Sequence, residues 1–74
     1  MQKKSKPNFE LKALRAKYRI TQRDMAKRLG IAVSSYNQKE NGLRDFTLTE
    51  CKIISEILKH DPKTLFFEQE VSNS

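Results

Sequence analysis

The chain has little of what would bind a metal, brace a secreted scaffold or cross a membrane. Its single cysteine, Cys51, cannot close an internal disulfide, which fits a reducing cytoplasm. Its single histidine, His60, has no second histidine and no cysteine at ligand spacing, so neither a metal nor any other cofactor is expected. No apolar run approaches the ~20 residues of a membrane span. The basic opening MQKKSKP is not followed by the apolar segment of a signal peptide. With so few nucleophiles and no paired carboxylates in prospect, an enzyme is not expected.

Positive charge is abundant. Fifteen Lys+Arg face nine Asp+Glu for a net charge of +6, and the imbalance is uneven. Residues 1–30 hold ten bases and two acids (+8), while residues 31–74 hold five and seven (−2). One end therefore carries a positive field, and a polyanion is the natural partner. Membrane-surface binding by the first helix competes poorly, because Leu11, Leu14 and Tyr18 are needed inside.

Punctuation divides the 74 residues into one all-α domain. Residues 1–7 read as a flexible basic arm closed by Pro7, residues 8–68 as the domain, and 69–74 as a flexible tail. Asn8 caps a helix over about 8–18, with Phe9, Leu11, Leu14 and Tyr18 on its inner side. Thr21 and Asp24 frame a capping box for 22–29, where Met25, Ala26 and Leu29 face inward before Gly30 stops the helix. A third helix spans about 33–41 and ends at Gly42. Thr47 and Glu50 open a fourth, 48–59, with Leu48, Cys51, Ile54 and Leu58 at core spacing and His60 in its last turn. Asp61-Pro62 begins a short fifth helix, 62–67.

The stretch LGIAVSSYNQKENG, residues 29–42, is nearly uncharged in a basic chain. By spacing, helix two, the turn Gly30-Ile31-Ala32 and helix three form a helix-turn-helix, which presents the start of its second helix outward. With Tyr36 turned inward, Val33, Ser34, Asn37 and Gln38 face out. Amides and hydroxyls discriminate base edges, whereas Lys or Arg across the same face would mainly grip phosphate.

TQRDMAKRLGIAVSSYNQKENG resembles the Xre/Cro (phage repressor-like) family over about Leu11 to Phe67. The resemblance implies a five-helix, lambda-repressor-like fold. It also implies sequence-specific binding to a double-stranded operator, usually as a homodimer, in a bacterial or phage-encoded regulator of the cytoplasm or nucleoid. Without a separate effector domain, the chain looks like a Cro-like regulator or compact repressor, and no small-molecule ligand is expected. Gln22 aligns with a phosphate contact; Val33, Ser34, Asn37 and Gln38 align with base readers; Asn41 and Arg44 align with backbone clamps. Arg15 and Glu40 match an internal salt bridge that leaves part of the guanidinium toward phosphate. Lys17, Arg19 and Arg23 add non-specific contacts.

Two positions depart from the family pattern. Ala32 stands where a Ser or Thr cap is usual, and Lys39 where an apolar residue is frequent, its stem expected to pack while its ammonium reaches water. Phe66 and Phe67 are assigned to a dimer contact. The rival reading is a protein-interaction module, such as an antirepressor or antitoxin-like component.

Overall fold

The computed structural model describes residues 8–61 and 63–67, and the expected arm at 1–7, Pro62 and the tail at 69–74 lie outside them. Among the described residues four α-helices follow in order: α1 Phe9–Lys17, α2 Gln22–Leu29, α3 Val33–Glu40 and α4 Leu48–Leu58. The expected fifth α-helix is instead a π-helical turn, Lys63–Phe67. Its looser winding lets consecutive residues pack: Leu65 is fully buried and Phe66 lies partly buried against the core.

Local chemistry starts each helix where the side chains allow it. Asn8 Oδ1 accepts the Leu11 N–H at 3.0 Å. Thr21 with Asp24 and Thr47 with Glu50 make complete reciprocal capping boxes. Only α3 starts bare, since Ala32 makes no side-chain cap bond. The helix ends share one device. A left-handed residue follows each helix (Arg19, Gly30, Gly42, Lys59). The next N–H then reaches back five residues: Ile20 to Arg15, Ile31 to Ala26, Leu43 to Gln38 and His60 to Ser55. At Gly30, with φ +73°, an added Cβ would meet nothing within 4 Å, so the requirement there is backbone handedness and not space.

Leu11, Met25, Ala26, Tyr36, Ile54, Leu58 and Leu65 form the buried core, with Leu14, Leu29, Ile31 and Phe46 packed against it. Three expected inner residues face out: Phe9 is 70% exposed, Tyr18 48% and Leu48 72%. Lys12 and Lys17 lay their ammonium groups over the Phe9 and Tyr18 rings, each 5.8 Å from the centroid, so both aromatics partner cations at the surface. Phe46, in the loop before α4, bridges Tyr36 and Phe66 at centroid distances of 5.8 and 5.5 Å. His60 lies past the end of α4, its Nε2 3.7 Å from Glu10 Oε2. Cys51 is buried, and desolvation, reinforced by the neighbouring Glu50 charge, pushes its thiol up to about 11, away from reactivity.

α2 packs on α3 and on α4. Asn8 fastens the start of α1 to two distant places, its N–H donating to the Glu40 carbonyl and its Nδ2 to the Leu65 carbonyl, both at 3.0 Å. The end of α3 is thereby held from α1 as well as from α2.

Candidate nucleic-acid interface

α3 has two faces of different chemistry. Tyr36 and Glu40, four residues apart, point to the inside and are both buried. Val33, Ser34, Asn37 and Gln38 are all solvent-exposed, Val33 at 42%. The four side chains named from the sequence as base readers therefore share the outer face.

Behind that face sits a buried carboxylate. Glu40, at 0% exposure, accepts four hydrogen bonds: Arg15 Nε (2.8 Å), Arg15 Nη2 (3.2 Å), Gln22 Nε2 (2.8 Å) and the Tyr36 hydroxyl (2.8 Å). An ionised carboxylate offers about four acceptor positions, and all are filled here. Burial raises its affinity for a proton, but the bonds from Arg15, Gln22 and Tyr36 outweigh burial and hold Glu40 below the ordinary carboxylate range. Its hydrogen bond to Glu40 raises the Arg15 pKa further, and desolvation together with that carboxylate pushes the Tyr36 phenol up. The node is charged on Arg15 and Glu40 and neutral on Tyr36 at physiological pH.

Arg15 Nη1 donates to the Ile20 carbonyl at 2.9 Å, so each guanidinium nitrogen already has an internal acceptor. The node then continues outward. Gln22 Oε1 accepts from Asn37 Nδ2 at 3.1 Å, and Asn37 Oδ1 accepts from Asn41 Nδ2 at 3.2 Å. Arg44 Nη1 reaches Ser35 Oγ at 3.4 Å and Gln38 Oε1 at 3.5 Å. Gln22 and Asn41 are partly buried beside the outer face, while Lys17, Arg19, Arg23 and Arg44 are exposed.

Lys39 departs from expectation. Its ammonium bonds both Glu50 carboxylate oxygens, at 2.7 and 2.9 Å, and its side chain is only 9% exposed. Glu50 serves twice, since Oε1 also accepts the Thr47 N–H of the capping box at 2.9 Å. Sequence reasoning missed this pair because neither charge marks its partner eleven residues away. The Gln22–Asn37–Asn41 chain was missed for the same reason, although an acceptor-only Glu40 beside Gln22 would have implied it. Phe66, assigned to a dimer contact, has its ring against Phe46, and the Phe67 side chain lies outside the described residues.

Among the described residues there is no cluster of His, Cys, Asp or Glu that could hold a metal. No helix among them is long and apolar enough to cross a membrane.

Residues 11–64 match a family model described as helix-turn-helix. No curated protein and no solved structure matches the chain. A short, glycine-closed α2, a second helix with a polar outer face and a family match over most of the length lead to one assignment: the chain belongs to the Xre/Cro-type helix-turn-helix family, whose domains are non-catalytic DNA-binding modules.

Proposed function

We propose that this DNA-binding protein is a sequence-specific transcriptional regulator, a Cro-like or compact repressor of a phage, prophage or bacterial operon, which places α3 in the major groove. The observation that carries the reading is the outer face of α3. Val33, Ser34, Asn37 and Gln38 project to solvent without a charge among them, from a helix anchored by a buried ion pair. Asn and Gln suit adenine, Ser bonds either way, and Val33 suits a thymine methyl. Gln22, Arg15, Arg19, Arg23, Asn41 and Arg44 are assigned to phosphate contact. Arg44 serves it while steadying Gln38, and Arg15 chiefly by supporting Glu40.

A symmetric homodimer would read two half-sites about one helical turn apart. Its contact would include the accessible side of Phe66 together with Phe67. A protein-interaction role of the antirepressor or antitoxin type is favoured by one observation, the exposure of Leu43 and Leu48 around the loop after α3. The two roles are compatible in one chain.

Selection of bound duplexes from a random pool tests the reading. Enrichment of a two-part palindromic site is the expected result, with affinity falling by ~10³–10⁵ between low and moderate salt if six to ten phosphates are engaged. Binding that enriches no sequence would overturn it.

A further inference from the structure

Glu40 is fully buried and paired with Arg15, so its carboxylate only accepts hydrogen bonds. Gln22 must therefore turn Nε2 toward it and Oε1 outward. Oε1 can be met only by a donor, which turns Asn37 Nδ2 inward and leaves Asn37 Oδ1 to take the Asn41 amide. One buried charge thus dictates the direction of three successive side-chain amides. Reversing Asn37 would set carbonyl against carbonyl at Gln22 and amide against amide at Asn41.

We propose that Gln22 is a specificity-determining positioning residue that locks Asn37 in one amide orientation, and that the base Asn37 reads is adenine. In that orientation Asn37 retains one N–H and one lone pair of Oδ1 for a ligand, in fixed places. Adenine offers the matching acceptor N7 and donor N6, whereas guanine offers two acceptors and leaves Oδ1 unpaired. The proposal rests on α3 docking in the major groove.

Two variants separate positioning from phosphate contact. Gln22→Ala removes the amide. Gln22→Lys keeps a donor for Glu40 and a cation for phosphate but gives Asn37 no acceptor. Both are expected to lose about tenfold of the discrimination at one base pair, adenine in the unmodified protein, read as the ratio of affinities for the two base pairs so that any change in phosphate binding cancels. If Gln22→Lys keeps the parental base preference, the positioning role is overturned. A parent protein that selects a site without adenine opposite Asn37 overturns the base assignment. The relay is also read without DNA: the Asn37 side-chain NH₂ signals should shift in Gln22→Ala, with melting behaviour confirming the fold. Unchanged signals overturn the relay whatever the DNA result. A parent that selects no sequence overturns the groove-docking reading instead.

Discussion

Lys39 and Glu40 are neighbours on α3, and each forms a buried or nearly buried ion pair, yet the two pairs serve different ends. Glu40 turns toward α1 and α2, has no exposed surface, and receives four hydrogen bonds from three residues. Lys39 turns toward Glu50 at the start of α4, where a single flexible ammonium meets a carboxylate at 9% and 11% exposure. The guanidinium of Arg15 forks across both Glu40 oxygens and so fixes an angle, which a point-like ammonium does not. The first pair sets the pose of the outer face, while the second fastens the helix to the domain.

The contrast has its largest test in Arg15→Met. Removing one partner strands a buried charge, and a loss of ~3–5 kcal/mol in urea unfolding is expected. A loss below 1 kcal/mol would mean that Glu40 finds water or a proton cheaply. Acid comes next. Glu40 and Glu50 both have folded pKa values below the ordinary 4.5. Each therefore adds stability that is present above that value and is lost as pH falls through the folded pKa. The urea midpoint should hold from pH 7 to about pH 5 and decline below the ordinary carboxylate pKa. Glu50→Gln should preserve most of that decline; if it abolishes it, the ranking of the two pairs is reversed. The smallest effect is assigned to Lys39→Met, about 1–3 kcal/mol, because its stem packing survives and Glu50 retains the Thr47 bonds. Site selection by Lys39→Met should match the parent, and a changed site would give the second pair a share in posing the face.

What the sequence disclosed was local. Thr21 with Asp24, Thr47 with Glu50, and the glycines at 30 and 42 place four helix boundaries by chemistry contained within four residues. The inward Tyr36 and the outward Asn37 and Gln38 followed from helical spacing alone. What stayed hidden was either long-range or unmarked. Phe46 sits in an irregular loop with no periodicity to flag it. Leu48 has core spacing but lies in the first turn of α4, beyond the reach of the packed layer. The Gln22–Asn37 bond joins two helices across fifteen positions. It becomes deducible only once Glu40 is known to be buried.

The helix ends carry one more consequence. Of the four left-handed closures, two are borne by residues with a Cβ, Arg19 and Lys59. A side chain in that conformation costs roughly 1 kcal/mol more than glycine, so this small domain leaves stability unclaimed at these two closures. Arg19 is exposed and belongs to the phosphate contacts proposed above. Lys59 has no such duty in the proposed interface, which makes Lys59→Gly a route to a hardier protein with its DNA preference intact.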